Sequence, residues 1–364
     1  GDVYKRQGTD LLAALDQAAK RGVEIKLLID GIYQQLFLNG SKDFQALAAR
    51  ENVVVGVYNP VTPAGLFKLN YRMHDKYVIV DDEMYLLGGR NSNDIFLGDY
   101  TTDINVDRDI LVWDITKGEG ESLQELEAYF RQIWNEDCVQ IKGGRKKNSS
   151  DISVSEEAAD DSEDAESNSK NSNIVNGIPN VENEITDETQ EKLSKYEKQY
   201  QSLEMRYASL KEKYTDIEDY SSWQEDTIPA NKITLVNNGT HAGPKTPLVL
   251  QTIRYLAQNA ENVTIQTPYV ICNGYMYDTL NEIASHAQLK IILNAVEKGS
   301  NPWGCTDYLN QKKKILNTGA DVYELMNEVP VHTKAVLLDD RLSVVGSYNP
   351  VSYTHLRAHE TSAH

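Results

Sequence analysis

The sequence predicts an α/β fold that is built twice along the chain, and three observations predict it. Runs rich in β-branched residues alternate with amphipathic stretches, the same order of elements occurs on both sides of a charged middle segment, and one polar motif recurs in both parts. The 364 residues suit two domains of about 150 to 180 residues each. We therefore predict two α/β/α domains with mixed sheets, related by a pseudo-twofold axis.

The first half, at residues 8–143, and the second half, at residues 232–350, follow one order of elements. In the first, helices are predicted at 10–22 and 41–52 and strands at 23–30, 53–60, 73–82 and 84–89. In the second, helices are predicted at 247–262, 275–287 and 307–320 and strands at 263–270, 289–296, 321–325, 331–340 and 342–347. The strand at 263–270 has no counterpart in the first half, so we expect that half to lack its opening strand.

An acidic insertion at residues 144–231 separates the halves. From Asp151 to Asn231 the chain carries 21 acidic and 7 basic residues, most of the net charge of −19. The part at 144–184 is acidic and rich in serine, a composition typical of a disordered linker. The part at about 188–218 predicts a helix, because apolar and tyrosine side chains recur at spacings of three and four: Leu193, Tyr196, Tyr200, Leu203, Tyr207, Leu210, Tyr214 and Ile217.

This heptad seam has two interpretations. The helix packs on its own domain or on a hairpin partner, or the seam at 193–217 joins two chains in a coiled coil. We favour the first interpretation, because four tyrosines make an unusual coiled-coil core. Self-association through this helix is the alternative.

Composition argues against several classes of protein. The excess of 55 Asp and Glu over 36 Lys and Arg argues against a protein that coats nucleic acid, so we expect no nucleic-acid partner. Three cysteines without CxxC spacing indicate neither a disulfide framework nor a zinc site. No run of 18 apolar residues occurs, so nothing in the sequence is expected to span a bilayer.

Both ends of the chain differ from the rest. Residues 1–7 and 351–364 fit neither the patterning nor the repeat, and we interpret them as foreign, adapter-like sequence. His355 and His359 in the second segment have a spacing that is found in metal sites. Because the segment is interpreted as foreign, we predict no metal site.

One polar motif occurs once in each half. His74, Lys76, Asp81, Gly88, Gly89 and Asn91 are matched in spacing by His332, Lys334, Asp339, Gly346, Ser347 and Asn349. His and Lys two residues apart on a strand project from one face, and the strand that returns after the Asp brings the Asn beside them. An imidazole, an ammonium and an amide at one place suit a phosphoryl group. Two copies provide one imidazole to attack phosphorus and another to protonate the leaving oxygen.

The duplicated HxKx4Dx6G[GS]xN motif resembles the phospholipase D superfamily. GGRNSNDIF followed by DRDILVWD is most similar to its bacterial cardiolipin synthase branch. The resemblance covers about 8–143 and 232–350. It implies two phospholipase D-like domains and a phosphohistidine intermediate that forms without a metal or other cofactor.

The resemblance also implies roles for individual residues. His74 would be the nucleophile and His332 the general acid and base. Phosphate would be held by Lys76, Lys334, Asn91 and Asn349, with Gly89 and Ser347 beside the substrate. Asp109 would orient a catalytic histidine, Asp81 and Asp339 would brace the motif, and Thr267-Pro268-Tyr269 would border the phosphate pocket.

The function implied is transfer of a phosphatidyl group between phospholipids, with cardiolipin as product. Expected partners are phosphatidylglycerol, phosphatidylethanolamine or cardiolipin-type lipids at a membrane surface. We expect the protein at the bacterial cell membrane, peripherally or through an N-terminal anchor outside this sequence, and otherwise in the cytoplasm. The alternatives are hydrolysis of phospholipid or nucleic acid at the same site, and a non-catalytic scaffold that recruits partners through the seam helix.

Overall fold

The structure is a computed structural model of the chain. It describes residues 8–62, 71–92, 96–97, 104–144, 187–241, 245–299, 302–350, 358–359 and 361–363. The segment at 1–7 and nearly all of the predicted linker at 144–184 lie outside these ranges.

Nine α-helices occur in the described ranges, and three of them begin with a side chain that caps the helix. The side chains of Ser41 and Asn273 accept hydrogen bonds from the backbone N–H groups of Phe44 and Met276, which caps the helices that follow. A π-helix follows the second α-helix at Gln34–Leu38 and a 3₁₀ turn occurs at Val296–Lys298. The α-helices are α1 Thr9–Lys20, α2 Gly31–Tyr33, α3 Lys42–Ala48, α4 Glu121–Trp134, α5 Asp187–Lys213, α6 Ser221–Glu225, α7 Leu248–Ala257, α8 Gly274–Ala284 and α9 Pro302–Leu316.

Fifteen strands occur in the same ranges, and their order confirms a mixed α/β fold. In the first half they are β1 Ile25–Asp30, β2 Val53–Tyr58, β3 Arg72–Met73, β4 Tyr77–Val80, β5 Met84–Gly88, β6 Asp109–Trp113 and β7 Val139–Gly143. Beyond the insertion they are β8 Leu235–Asn237, β9 Asn262–Gln266, β10 Gln288–Asn294, β11 Asp321–Leu325, β12 Ala335–Leu338, β13 Leu342–Gly346, β14 Ala358–His359 and β15 Thr361–Ala363.

The second half forms one mixed sheet in the order β11-β10-β9-β12-β13-β15-β8. β9 is the third strand of the seven and pairs parallel to β10 and antiparallel to β12. Helices α7 and α8 pack on one face of this sheet, and their side chains share a core with strand residues such as Ile291 and Val336. The near-continuous apolar character of β10 and β12 follows from this burial.

The first half is divided into two three-stranded sheets, β1-β2-β7 and β4-β5-β6. The strand that would join β1 to β4, as β9 joins β10 to β12, has no counterpart among the described residues. The consequence is visible in the exposure of equivalent side chains. Val78 and Val80 of β4 are 47% and 43% exposed, whereas Val336 and Leu338 of β12 are 6% and 3% exposed. The described part of the first half therefore lacks both the strand and the helix that cover β12.

The seam helix α5 packs on the first half, as the favoured interpretation predicts. Leu203 is fully buried against α1 and α3, and the Tyr200 hydroxyl donates a hydrogen bond of 2.8 Å to the carbonyl of Ala46. Arg206 pairs with Asp10 of α1 at 2.5 Å. The helix ends at Lys213, four residues before the predicted seam ends, because the chain turns over the four residues after Tyr214.

Two short strands lie in the tail that we interpret as foreign. β14 pairs with β3, and β15 pairs with β13 and β8. His359 lies in β14 and His355 lies outside the described residues. The foreign origin of the tail stays a prediction.

Candidate active site

The two motif histidines lie immediately before strands and not within them, which corrects the prediction. β4 begins at Tyr77 and β12 at Ala335, so each His and Lys precedes its strand. The pairs stay together through side-chain bonds. The Nζ of Lys76 donates to the carbonyl of His74, and the Nζ of Lys334 donates to the carbonyl of His332. In place of the predicted strand, each of these segments has a lysine that bonds the carbonyl of the histidine two residues before it.

The two motifs meet because a loop of the first half pairs with the second half. Val106 forms a bridge with Val331, and its carbonyl accepts a hydrogen bond of 2.7 Å from the backbone N–H of His332. The N–H of Val106 donates to the carbonyl of Pro330 at 2.9 Å. The loop that precedes β6 is thereby fixed beside the second histidine.

His74 makes its contact across the same boundary. Its Nδ1 lies 3.1 Å from the carbonyl oxygen of Ser347, which can only accept, so Nδ1 carries the proton and Nε2 is the unprotonated nitrogen of the neutral ring. Burial, together with the positive charges of Lys76 and Lys334, holds the pKa of His74 well below its ordinary value. A neutral imidazole with an available Nε2 has the form that a nucleophile needs.

His332 has a different partner, the carboxylate of Asp107. The two atoms His332 Nδ1 and Asp107 Oδ2 are 2.6 Å apart, and the Asp107 side chain is 0% exposed. Burial favours the neutral carboxyl, but the hydrogen bond to His332 and the charge of Lys334 outweigh it and lower the pKa of Asp107. Burial and the adjacent Lys334 lower the pKa of His332 to about 4 against the pull of Asp107. Phe96 packs edge-on against the His332 ring with 4.8 Å between the centroids.

Asp109 does not contact a histidine, which corrects the prediction that it orients one. Its carboxylate pairs with the Nε of Arg90 at 2.5 Å, at the start of β6. Arg90 also donates to the carbonyls of Phe96 and Asp107, at 2.7 and 3.0 Å. Asp109 therefore anchors the arginine that holds the loop, and Asp107, two residues earlier, takes the place that we assigned to Asp109.

Glycine is needed after β5 because both aspartates approach the backbone there. A Cβ on Gly88 would collide with the carboxylate of Asp109, and a Cβ on Gly89 would come within 2.8 Å of Asp107 Oδ1. The predicted close approach at the motif glycines is thus made by protein carboxylates.

The two motif aspartates sit at equivalent turns, away from the histidines. Asp81 and Asp339 have positive φ values of 48° and 51°, a conformation that Asp tolerates better than most residues. The carboxylate of Asp339 accepts hydrogen bonds of 2.9 Å from the backbone N–H groups of Glu261 and Asn262. These bonds tie the β12–β13 turn to the start of β9, which is the bracing role that the resemblance implies.

The remaining predicted residues differ in how closely they approach the histidines. Ser347 is buried and lies against His74 through its carbonyl, and its hydroxyl lies 3.5 Å from Asp75, which accepts a bond of 2.8 Å from Tyr129. Asn349 is 3% exposed. Asn91 is partly exposed, and within the described ranges no hydrogen bond joins it to either histidine.

The segment at 267–269 lies at the end of β9, the strand beside β12. Thr267 is 1% exposed, and its hydroxyl donates a hydrogen bond of 3.2 Å to the carbonyl of Tyr269. The phosphate contacts assigned to this segment and to the asparagines stay predictions.

Asp107, Arg90 and Asp75 were not singled out from the sequence. Arg90 stands inside the motif, between Gly89 and Asn91, and a charged side chain at the end of a buried strand is a signal that could have identified it. Asp107 and Asp109 share one strand face by alternation, so no sequence pattern separates their roles.

Neither a group of metal ligands nor a membrane-spanning helix occurs within the described ranges. In these ranges no three His, Cys, Asp or Glu side chains are grouped so that they could hold a metal ion. None of the helices that the structure describes has both the length and the apolar character to cross a bilayer. The prediction of a cofactor-free reaction stays a prediction.

Comparison with known families decides where the chain belongs. A family model described as "Cardiolipin synthase, PLD-like domain" matches residues 3–134 and 252–362, two segments that together exceed half of the chain. The chain belongs to this family. The double match confirms a phospholipase D-type chain with two such domains.

Curated relatives agree with this family. A cardiolipin synthase of Clostridium perfringens (strain SM101 / Type A) is 33% identical over 130 residues, which is 35% of this chain and 25% of that protein. Cardiolipin synthase 1 of Bacillus cereus is 34% identical over 139 residues, 36% of this chain and 25% of that protein. The chain matches about a quarter of the length of these relatives.

A solved structure supports the fold over nearly the whole chain. Phosphatidylserine synthase of Haemophilus influenzae Rd KW20 is similar with a TM-score of 0.54 and 13% identity, covering 96% of this chain and 71% of that one.

Proposed function

We propose that the chain transfers a phosphatidyl group from one phospholipid to the hydroxyl of another, through a phosphohistidine on His74, with cardiolipin as the product. The observation that carries the proposal is that two imidazoles meet across the halves with unlike partners. Nδ1 of His74 faces the carbonyl of Ser347, and Nδ1 of His332 faces the carboxylate of Asp107. The similarity to cardiolipin synthases supports the choice of phospholipid as substrate.

In the first step the lone pair of His74 Nε2 attacks phosphorus and forms a P–N bond. The P–O bond to the leaving alcohol breaks, and the alcohol oxygen takes a proton from His332 Nε2. The bound phosphodiester brings a negative charge, which favours the protonated form of His332 and opposes the effect of Lys334. The carboxylate of Asp107 stabilises that imidazolium, as a carboxylate does in other acid–base dyads.

In the second step the acceptor hydroxyl gives its proton to His332 Nε2 and attacks phosphorus. The P–N bond breaks and His74 returns to its neutral form. The ammonium groups of Lys76 and Lys334 are placed to stabilise the charge on the equatorial oxygens in both steps. Transfer and hydrolysis differ only in the molecule that attacks the phosphohistidine. It is a lipid hydroxyl in transfer and water in hydrolysis.

We further propose that the substrates are phosphatidylglycerol, phosphatidylethanolamine or cardiolipin-type lipids, that the site works at a membrane surface, and that the cell membrane is the location of the protein. The net charge of −19 argues against nucleic acid as the substrate. The same net charge would not attract the protein to anionic lipid. Lipid contact would then depend on local features of the site.

Incubation with mixed phosphatidylglycerol and phosphatidylethanolamine vesicles, followed by lipid chromatography, tests the proposal. Cardiolipin is the expected product, in the presence and absence of excess EDTA. Phosphatidic acid alone would establish a hydrolase instead, and no product from a folded chain would favour the scaffold hypothesis. Activity that EDTA removes and a divalent ion restores would contradict the cofactor-free mechanism. The His74→Ala variant is the blank for contaminating lipases.

A further inference from the structure

Each motif histidine is preceded by a residue whose backbone is bonded by one polar side chain, which is partly buried in the first half and buried in the second. The holding side chains are Asp30, the last residue of β1, and Asn294, the last residue of β10. They occupy equivalent places in the two halves, and neither belongs to the duplicated motif. His74 and His332 lie outside the longer strands, and the backbone beside them is also held by the pairing of Met73 in β3 and by the bond from the His332 N–H to the carbonyl of Val106.

In the second half Asn294 grips both polar groups of Val331. Its Oδ1 accepts a hydrogen bond of 2.8 Å from the Val331 N–H, and its Nδ2 donates to the Val331 carbonyl at 2.7 Å. Nδ2 also lies 3.3 Å from the carbonyl of Pro268. The side-chain amide of Asn294 is 4% exposed. It thus gives Val331 the two hydrogen bonds that a neighbouring strand would otherwise supply.

In the first half Asp30 grips Met73. Its Oδ2 accepts a hydrogen bond of 3.0 Å from the Met73 N–H, and its Oδ1 accepts from the N–H groups of Ile32 and Tyr33 at 2.9 and 3.2 Å. Arg72 lies 3.3 Å from the same carboxylate and also donates to the carbonyl of Asn59. The contact joins the β1 sheet to the segment that leads into the β4 sheet.

We propose that Asp30 and Asn294 are positioning residues, each of which sets the location of the histidine one residue beyond its contact. The hydrogen bonds of Asp30 and Asn294 to the backbone are already formed before substrate binds. The histidines therefore need little rearrangement to reach the geometry of the reaction. The difference in chemistry follows from the partners. Asn294 must both donate and accept, whereas Asp30 only accepts and has an arginine as its counterion.

The test uses the chemical reactivity of each histidine, which needs no lipid. Diethyl pyrocarbonate acylates neutral imidazole, and mass spectrometry of peptides gives a rate for each histidine. In Asn294→Ala we expect the rate at His332 to rise about tenfold and the rate at His74 to change less than about twofold, because only one segment is released. Asp30→Ala should give the reverse pattern.

Matched controls are Asn238→Ala and Asp114→Ala. Asn238 is 2% exposed and accepts from the N–H of Val249, and Asp114 is 9% exposed and accepts from Thr116, Gly118 and Gly120. Both hold backbone away from the histidines, so they should lower the melting temperature without separating the two rates. Equal acceleration at both histidines, or the same pattern in the controls, would overturn the proposal.

Conservative variants keep the test decisive if an alanine variant does not fold. Asp30→Asn keeps an acceptor for Met73 and should leave the His74 rate within about threefold, whereas Asn294→Asp loses both donated bonds and should accelerate His332 about as alanine does. The opposite ranking would also contradict the proposal.

The kinetic arm rests on the proposed function. In the lipid assay Asn294→Ala should lower kcat about 10- to 100-fold with KM within about twofold, because geometry rather than binding is lost. A parent chain without lipid turnover would count against the proposed function alone, since the reactivity pattern is measured without substrate.

Discussion

The carboxylate of Asp107 and the imidazole of His332 come from different halves of the chain and lie 2.6 Å apart. The hydrogen bond favours one tautomer of His332, because Nδ1 faces an oxygen that can only accept, and Nε2, which lies 3.1 Å from the Nζ of Lys334, is then the unprotonated nitrogen of the neutral ring. The imidazole of His332, in the second half, is therefore oriented by a carboxylate of the first half. Neither half contains a complete site.

Asp107→Asn should lower kcat about 10²- to 10⁴-fold, because an amide can hold His332 in the wrong tautomer and cannot stabilise its charged form. Asp109→Asn is the matched comparison, two residues away on the same segment. It removes the partner of Arg90 and should act mainly on the melting temperature. Lipid assays and thermal melts of both variants would show a larger kinetic effect at Asp109 if our assignment were wrong.

His74→Ala and His332→Ala should each reduce turnover by about 10³-fold or more without unfolding the chain, because the two imidazoles have separate roles. Rapid quench with ³²P-labelled phosphatidylglycerol distinguishes them. His332→Ala should still accumulate some acid-labile, base-stable label on the protein, and His74→Ala should accumulate none. Label retained in the His74 variant would exchange the assigned roles.

Lys334→Ala should lower kcat about 10²- to 10³-fold, because it removes a charged donor from a buried phosphate site. It should also raise the pKa of His332, since the adjacent ammonium opposes protonation of that ring. NMR titration of ¹³C-labelled histidine measures the shift. A His332 pKa that stays near 4 in this variant would contradict the electrostatic cause.

Stability should fall as the pH is lowered from about 6.5 to about 4. The pKa of His332 is about 4 in the folded chain and near 6.5 when unfolded, so in this window the unfolded state binds more protons. The stabilisation is complete above the unfolded pKa and is lost toward the folded one, by at most about 3 kcal/mol. Urea unfolding across this range should show the slope, and the double variant His74→Gln, His332→Gln should flatten it.

Leu203→Glu with Leu210→Glu should lower the melting temperature at every protein concentration. Both leucines are buried, at 0% and 5% exposure, and Leu203 belongs to the core of the first half, so each charged replacement costs about 3 to 5 kcal/mol. The control is Met205→Glu on the same helix. Met205 is 67% exposed, so this variant should leave the melting temperature unchanged. A dimer by light scattering that the double variant dissolves would support the coiled-coil alternative instead.

The sequence predicted the elements well where a pattern repeats. The alternation of strands and helices and the duplicated motif are readable, because each is a local or a repeated signal. The partners of the histidines were not readable. Asp107 and Asp109 are two apart and chemically alike, and only the bridge from Val106 to Val331 decides which carboxylate meets His332.

Two other differences have the same origin. The apolar runs predict strands that include His74 and His332, whereas β4 and β12 begin only after the lysines that bond the carbonyls of these histidines. The seam was extended to Ile217 because spacing alone does not report where a helix ends. Tertiary contacts that join distant segments decide each of these points, and no window of sequence contains them.

The division of the first-half sheet gives the two histidines unequal mechanical support. His332 lies just before β12, which belongs to the described sheet of seven strands, whereas the segment just before His74 is tied to β1 by the carboxylate of Asp30 and to Asn59, the residue after β2, by Arg72. We expect amide hydrogens of β4 to exchange faster with deuterium than those of β12, since fewer ladder bonds must open. His74, the proposed nucleophile, would then lie in the half whose backbone opens more easily, and it could move with phosphorus as the P–N bond forms and breaks. His332, the proposed proton donor and acceptor, would lie in the more rigid half.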